Sequence, residues 1–511
     1  MNRSPESAET WLRVAAIAAA VQLLGLVLWY WRDAIPFSNA SGVWIAHAWD
    51  FLHGELYRPL WDENGSGGSR YMPLFFIVLA GMIEFIGIPS TAGAILNLLI
   101  AFCFLLALIR LMERSRVPLT VSVPMAGLAC FSISYQLLHL EVRGDLLAGF
   151  LNLAGLGFAV QGFKKPSPAT WVLMALCFLL AWLAKFTMVF GIAAVSLYLI
   201  LNGRARAGCS LFLIFFSLAA FSWELLQAAS NGNMEDAFLT CILGGGSWKY
   251  ALLAPWWFLK ASIMDPFFLM ITGAAIWTLR VLKALRGSFA ELYFWITLAG
   301  TVALFTSPGV DTNHLIDLLA ASLWVLARAW QIHSAPRYPT TLILPLLMLG
   351  TLFTWIPGVP SIADHLQQSG KPSFRHVEGI VQSLPWNDAP ILSENPLIPI
   401  LLGERPFMLD AFSLRVIAEK DPAITRSLFR QIQEKKFKGV ILTHWQPVSR
   451  QFPLEGMARQ KGWDGRAFYG NVHFPKQFLS VLKMNYTLAY VASPYYVFIP
   501  KNIPLPPHSM N

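Results

Sequence analysis

Long apolar runs that are almost free of charge alternate with short polar connections over the first two thirds of the chain. They lie at 14–31, 91–109, 117–135, 146–162, 168–184, 187–203, 207–227, 262–279, 289–306, 315–330 and 338–356. Runs approaching about 20 apolar residues cross a bilayer as helices, because a helix satisfies its own backbone in lipid and an open strand does not. The pattern therefore predicts an all-α polytopic membrane protein with about eleven transmembrane helices.

The composition supports a membrane protein. Of the 511 residues, 56% are hydrophobic and 13% are charged, whereas charged residues make up about 25% of a typical soluble protein. The net charge of +9 does not indicate nucleic acid binding, because many basic residues form short clusters between apolar runs, as membrane topology produces. The five cysteines are scattered through or beside apolar runs, so we predict no disulfide framework, no metal site and no cofactor.

The basic clusters also predict the orientation of the chain. Five short loops carry them, at 110–116, 164–165, 204–206, 280–286 and 328–337. All five share one side with the N-terminus if the run 71–88 does not cross the membrane, and the positive-inside rule favours that arrangement. We therefore predict that the first run is a retained anchor, that 71–88 is an interfacial or re-entrant helix, and that the acidic and aromatic loops face the outside.

From about residue 357 the composition changes to mixed charge with a proline-rich entry. Four short runs with a strand-like pattern lie at 389–393, 439–443, 487–491 and 495–499, and a helical pattern lies at 424–435. These features predict a small soluble α/β or α+β domain. We accordingly divide the chain into a transmembrane domain, 1–356, and an extracytoplasmic C-terminal domain, 357–511.

The most polar segment near the N-terminus lies in the predicted outer-face loop 32–90. Within it, Trp44, His47 and Phe51 recur at helical spacing, and Gly54 follows where a helix C-cap is expected. An amphipathic helix lying on the membrane surface explains this spacing without any chemistry. The alternative is an active-site helix, because the segment is rich in carboxylates, basic groups and aromatic rings.

Two further patterns favour the active-site interpretation. The helix ends in Leu52-x-Gly54-x-x-Tyr57 and is followed by Tyr71-Met72-Pro73-Leu74, and a later outer-face helix starts at Arg143-Gly144-Asp145. Together these resemble the first outer loop and the Arg-Pro-Asp helix start of GT-C-fold membrane glycosyltransferases of the mannosyltransferase-like and aminoarabinose-transferase-like families, with glycine in place of proline. The resemblance implies transfer of a sugar from a polyprenyl-phosphate donor to a lipid, glycan or protein acceptor at the outer face of a bacterial inner membrane.

Such a transfer requires a base for the acceptor hydroxyl and cations for the departing phosphate. The resemblance places the family's catalytic acid about fourteen residues before Gly54, where this chain has Asn39, Ala40 and Ser41. Three alternatives follow: the base is one of the carboxylates Asp33, Asp50, Asp62, Glu63 and Asp145, the register of the motif is looser, or the protein is not catalytic. The candidate substrate-binding residues are Asn39, Arg58, Arg70, Tyr71, Arg143, Lys185, Lys249 and His314.

Simpler interpretations stay open for several of these residues. Lys185 lies between two apolar runs, where a lysine also extends its amine to the interface without any function, and Asp145 complements the dipole of a helix N-terminus. His314 and Asp317 share a helical face, but two such residues are a weak metal signal. A non-catalytic subunit that keeps the fold is the alternative function, and a transporter is a third.

Overall fold

The structure is a computed structural model. It describes residues 5–32, 39–242, 244, 246–332, 379, 389–443, 473–475, 477–492 and 495–503. Up to Ile332 the described chain is helical, and prolines at the first turns of α4, α8 and α14 fit the helix start, where no backbone donor is needed. The helices are α1 Pro5–Arg32, α2 Asn39–Leu52, α3 Leu74–Ile86, α4 Pro89–Arg114, α5 Leu119–Gly127, α6 Ile133–Leu140, α7 Asp145–Lys164, α8 Pro168–Ala184, α9 Phe190–Leu201, α10 Ala205–Ala229, α11 Asn233–Cys241, α12 Trp248–Leu252, α13 Ala254–Met264, α14 Pro266–Val281, α15 Phe289–Leu304 and α16 Ile316–Ile332.

Five segments are long and apolar enough to cross a membrane, namely Glu9–Leu28, Pro89–Arg114, Asp145–Lys164, Ala205–Ala229 and Thr312–Ile332. Two bent helix pairs raise that number to as many as seven, and four shorter apolar helices accompany them in the described part of the chain. The predicted helical, multi-span membrane fold is confirmed. The predicted run 338–356 lies outside the described residues. Helix α3 has 13 residues and extends about 20 Å, which agrees with an interfacial or re-entrant helix.

The sharpest break in the bundle, a bend of 115°, separates α13 from α14. Asp265 lies at this break and caps α14, because its carboxylate accepts a hydrogen bond from the Phe268 amide at 3.0 Å. The other carboxylate oxygen accepts from the hydroxyls of Ser132, at 2.6 Å, and Ser134, at 2.7 Å. This carboxylate therefore joins two helix breaks and has a structural role.

The C-terminal region contains a four-stranded mixed sheet with the strand order β1-β2-β4-β3. Strands β1 and β2 are parallel, and β4 is antiparallel to both of its neighbours. The four predicted strands and the predicted helix are confirmed to within a few residues, because alternation and β-branched content report strands well in short runs. The elements are β1 Ile391–Ser393, α17 Leu397–Leu401, α18 Ala411–Lys420, α19 Pro422–Gln433, β2 Gly439–Thr443, α20 Phe478–Asn485, β3 Tyr486–Ala492 and β4 Tyr495–Pro500.

The C-terminal region packs directly on the first polar insertion. Ser66 donates its amide to the Phe407 carbonyl at 2.7 Å and accepts from the Leu409 amide at 3.2 Å, which forms a short parallel bridge. Helix α2 packs against α17, and Gly42 leaves no room there for a side chain beside Asn395. Helix α2 is therefore enclosed between the bundle and the C-terminal region. The proposed domain boundary at 356 lies outside the described residues and stays a prediction.

Candidate functional site

A buried carboxylate at the start of α7 joins three separate loops. Asp145 is 5% exposed, and its Oδ1 accepts hydrogen bonds from the Lys185 ammonium at 2.6 Å and the Asn313 amide at 2.8 Å. Lys185 is the C-cap of α8, and Asn313 belongs to the 3₁₀ turn Thr312–Leu315 that leads into α16. A short charge-assisted pair in a site largely closed to water holds both partners in fixed orientations. We call Asp145, Lys185, Asn313, Arg143, Arg70 and His314 the polar cluster.

Arg143 adds a second cation beside this pair. Its Nε lies 2.5 Å from Glu141 Oε2, and its side chain is 21% exposed. Burial by itself would lower the pKa of Arg143, but the carboxylates of Glu141 and Asp145 outweigh it and raise the pKa above the ordinary arginine value. Arg143 is therefore fully charged, with part of its side chain open to solvent.

Arg70 and His314 complete the cluster. The Arg70 guanidinium lies 5.1 Å from the centre of the Phe412 ring and donates to the Pro308 carbonyl at 3.3 Å. A side chain at Gly309 would place its Cβ 2.7 Å from Arg70 Nη2. Among the described residues no carboxylate lies within 4.0 Å of Arg70, and the buried Nδ1 of His314 has no hydrogen-bond partner there. These two side chains keep hydrogen-bonding capacity for a ligand.

Aromatic rings from the first insertion form one wall of the cluster. Trp44 stacks on Tyr71 with ring centres 4.3 Å apart and meets Phe75 edge-on at 5.1 Å. Burial raises the pKa of Tyr71 to about 12, so its hydroxyl stays protonated. A Cβ on Gly144 would lie 3.0 Å from the Trp44 ring and 3.1 Å from Phe75. The close approach of this wall explains a glycine at the position where the resembling families have proline.

The first insertion and the Arg143 turn lie on the same end of the bundle. The Val142 amide donates to the Ser41 hydroxyl of α2 at 3.0 Å, and Trp44 of the same helix contacts Gly144. The first insertion and the Arg143 turn are therefore adjacent, as an active site formed by both segments requires. These contacts also place α2 as a buried wall of the cluster, with only its last turn exposed.

Asp50 and Arg58, two other candidates, lie in a different network. Both are 3% exposed and form an ion pair with each other. Arg58 Nη1 also donates to the Pro406 carbonyl at 2.5 Å, and the neighbouring Arg405 lies 2.5 Å from Glu55. Burial raises the pKa of Asp50, and the Arg58 charge opposes that rise in part. The network joins α2 to the C-terminal region, so its geometry is that of a structural latch.

The remaining candidates lie apart from the cluster. Asp62 is half-buried in a tight turn, where its carboxylate accepts from the Asn64 amide at 2.7 Å, and Glu63 beside it is exposed. Lys249 is exposed on α12, 5.9 Å from the Trp248 ring centre. Asn39 is the first residue of α2, and Asp33 lies outside the described residues. Among the described residues no group of three metal-ligating side chains occurs.

Sequence reasoning did not select Asn313 as a site residue. The segment 311–317 was noticeable because polar side chains cluster at the start of an apolar run. Nothing in that pattern distinguishes the amide that donates to Asp145 from its neighbours. Asp317, on the same helical face as His314, is 2% exposed and lies one turn deeper in the bundle.

His47 is a buried histidine beside the cluster. It is 1% exposed, stacks on Phe76 at 5.1 Å, and neither ring nitrogen has a hydrogen-bond partner in the described part of the chain. Burial, with a smaller effect of the Arg58 charge, lowers its pKa to about 3. The ring is therefore neutral at physiological pH.

The buried His47 is expected to make the stability of the fold sensitive to acid. Because its folded pKa lies below the unfolded value of about 6.5, its contribution to stability is complete above pH 6.5 and is lost as the pH falls toward 3. At pH 5 the loss is about 2 kcal/mol. We expect His47→Leu to flatten the acid limb of a thermal denaturation profile, while substitution of the exposed His53 by glutamine leaves it unchanged. Equal acid limbs in wild type and His47→Leu would contradict the assignment.

Neither a family model nor a curated protein matches the sequence. Solved structures do match the fold. The structure of ArnT from Cupriavidus metallidurans bound to undecaprenyl phosphate has a TM-score of 0.56 at 11% identity and covers 94% of this chain and 97% of that chain. The Archaeoglobus fulgidus oligosaccharyltransferase tethered with an acceptor peptide has a TM-score of 0.54 at 11% identity, with 97% and 75% covered. The archaeal oligosaccharyltransferase AglB from Archaeoglobus fulgidus, in complex with an inhibitory peptide and a dolichol-phosphate, has a TM-score of 0.52 at 12% identity and covers 97% of this chain and 75% of that chain.

At such low identity these likenesses show the fold alone. The chain has the fold of GT-C membrane glycosyltransferases over nearly its whole length, which confirms the fold that its sequence motifs predicted.

Proposed function

We propose that the protein is a glycosyltransferase that moves a sugar from a polyprenyl-phosphate donor to a lipid, glycan or protein acceptor. The observation that carries the proposal is the polar cluster. Lys185 and Arg143 flank the Asp145 carboxylate, and Arg70 lies near His314, at the end of the bundle where the first insertion and the C-terminal region meet.

The cations fit a phosphate. Arg70 has no acidic partner among the described residues. Lys185 pairs with Asp145, and 15% of its side chain stays exposed. Basic groups of this kind stabilise the negative charge that develops on a leaving phosphate. They need no reorganisation during the reaction when the protein already holds them in position. The similarity to ArnT with undecaprenyl phosphate and to AglB with a dolichol-phosphate supports a polyprenyl phosphate as the ligand.

The chemistry then follows from the arrangement. The bond between the anomeric carbon and the phosphate oxygen breaks, and the bond from that carbon to the acceptor oxygen forms. The polyprenyl phosphate leaves with the electron pair, and the acceptor proton passes to a carboxylate. Of the four described candidate bases, Asp145 lies beside the proposed phosphate position. Asp33 lies outside the described residues and stays a candidate base on the sequence alone. His314 and Tyr71 line the same position and are proposed to contact the substrate.

The proposal also includes the side of the membrane on which the site lies. The site lies at the end of α7 opposite the basic Lys164, and basic loops face the cytoplasm in inner-membrane proteins. This supports an outer-face site in a bacterial inner membrane with an extracytoplasmic C-terminal domain. Membrane lipids surround the bundle, and no nucleic acid partner is proposed.

The test is transfer of radiolabelled sugar from a polyprenyl-phosphate donor by the full-length protein in lipid nanodiscs. We expect transfer by wild type and a loss of about 10²-fold in Arg143→Gln, because one oriented donor to the phosphate is removed. Lys436→Gln is the control, since this lysine is exposed and 3.8 Å from Glu434 in the C-terminal region. An active Arg143→Gln protein would refute the phosphate assignment.

The non-catalytic alternative rests on one observation, namely that Asn39 occupies the region where the resembling families have an acid. That alternative expects wild-type protein to bind the polyprenyl phosphate but to transfer no sugar from any donor. A binding measurement alongside the transfer assay separates the two functions.

A further inference from the structure

Four basic side chains meet at the end of the bundle that lies farthest from the polar cluster. Arg114 ends α4, Arg116 follows in the next turn, Lys164 ends α7, and Arg328 lies on the last turns of α16. Helix α7 begins at Asp145 in the polar cluster and ends at Lys164. Its 20 residues span about 30 Å. This basic cluster is therefore separate from the proposed catalytic site.

The basic side chains are held around one helix end. The Lys164 ammonium donates to the Arg114 carbonyl, and the Arg328 guanidinium donates to the Ser115 carbonyl and to Gln331 Oε1 at 2.6 Å. The Ser115 hydroxyl in turn accepts from the Trp324 indole at 3.0 Å. These contacts satisfy the last carbonyls of α4 and bring charges from three helices to one point.

The charge at this point is not balanced by the described part of the protein. None of the four basic side chains has a carboxylate within 4.0 Å there, and the nearby Glu113 is paired with Arg110 at 2.8 Å. Arg116 is close enough to Lys164 and Arg328 for their charges to repel. Membrane topology requires basic residues on one side of the bilayer, but it does not require them to converge.

The backbone at Arg116 gives an independent observation. Its φ is +70°, in the left-handed region that side-chain-bearing residues rarely adopt and that glycine or asparagine normally fills at a helix end. Arg116 therefore places one of the four basic groups of the cluster at a position where the backbone favours a residue without a side chain. Uncommon backbone conformations of this kind motivate a functional hypothesis.

We propose that this basic cluster binds a phosphate anion at the end of the bundle opposite the catalytic site. The ligand class is a phosphate monoester or diester. Its two sources are the headgroup of an anionic phospholipid in the adjacent leaflet and dissolved inorganic phosphate. Arg114 is the last residue of the candidate membrane span Pro89–Arg114 and lies over the Phe158 ring at 4.7 Å. Because the end of a span is expected near the lipid headgroups, this position favours the lipid source.

The experiment measures thermal stabilisation of the full-length protein by three probes. They are nanodiscs of phosphatidylcholine alone, nanodiscs of phosphatidylcholine with phosphatidylglycerol, and inorganic phosphate added to protein in detergent. The test variant is Arg116→Gly, which removes a basic side chain and suits the left-handed backbone, so it is expected to fold. The matched control is Arg110→Gln, which removes the same charge from the same helix end but from a residue that pairs with Glu113.

We expect one of the two anionic probes to raise the denaturation midpoint of wild type and Arg110→Gln equally. We expect Arg116→Gly to bind that probe about fivefold more weakly, as for the loss of one basic residue near an anionic surface. A response to phosphatidylglycerol alone identifies the lipid source, and a response to inorganic phosphate identifies the dissolved one. No stabilisation by either probe, or equal weakening in both variants, overturns the proposal.

Discussion

Replacing Lys185 by methionine is expected to reduce sugar transfer from a polyprenyl-phosphate donor by about 10²–10³-fold. The ammonium lies 2.6 Å from Asp145 and is the cation that pairs directly with this carboxylate. Methionine keeps the length of the side chain but provides no charge for the leaving phosphate. Single-turnover transfer assays of the purified variant, with enzyme in excess over the donor, measure the loss at the chemical step.

The single substitution also leaves the buried Asp145 without its ion-pair partner, which by itself destabilises a protein. The double variant Lys185→Met with Asp145→Asn separates the two effects. It removes the orphan charge, and Asn313 can still hydrogen-bond the new amide, so the denaturation midpoint is expected to recover. Transfer is expected to stay lost. Recovery of transfer together with stability would show that the pair is structural, and the phosphate assignment would then be wrong.

Replacing Arg58 by methionine is expected to lower the free energy of unfolding by about 3–5 kcal/mol. Arg58 and Asp50 are both 3% exposed, and the substitution leaves a buried carboxylate unpaired and the Pro406 carbonyl without its donor. Chemical denaturation in mixed micelles, followed by tryptophan fluorescence, measures the change. Transfer per folded molecule is expected to change little, because the latch lies outside the polar cluster.

Arg405 provides a matched control for this prediction. It makes a similar ion pair with Glu55, but both side chains are largely solvated, at 41% and 38% exposure, so Arg405→Met is expected to cost about 1 kcal/mol or less. Adding Asp50→Asn to Arg58→Met is expected to restore part of the lost stability, since no charge is then left unpaired. A loss of donor binding by a stable Arg58 variant would instead support the substrate-binding role that the sequence predicted.

The membrane helices and the C-terminal strands were predictable because both depend on local patterns. A charge-poor apolar run by itself indicates a helix that lies in lipid. Strands such as Gly439–Thr443 were predictable from short runs with β-branched residues. Helix α2 and its end at Gly54 were also predictable, because Gly54 adopts a φ of +86° that glycine accommodates without strain. The burial of α2 was not predictable from the sequence, because the C-terminal segment that covers it, around Asn395, lies about 350 residues later in the chain.

The assignment of polar residues to a site depended on the tertiary structure. Asp145 and Lys185 are 40 residues apart, and Asn313 is 168 residues from Asp145, so no spacing in the sequence indicates that they meet. The sequence by itself determined that this chain is a multi-span helical protein with a small mixed-sheet region, because lipid and the strand period impose those patterns residue by residue. Only the tertiary packing decided that Arg58 is buried with Asp50 against the C-terminal region while Arg143 and Arg70 lie near the Lys185 site, because charges of identical type differ only in their neighbours.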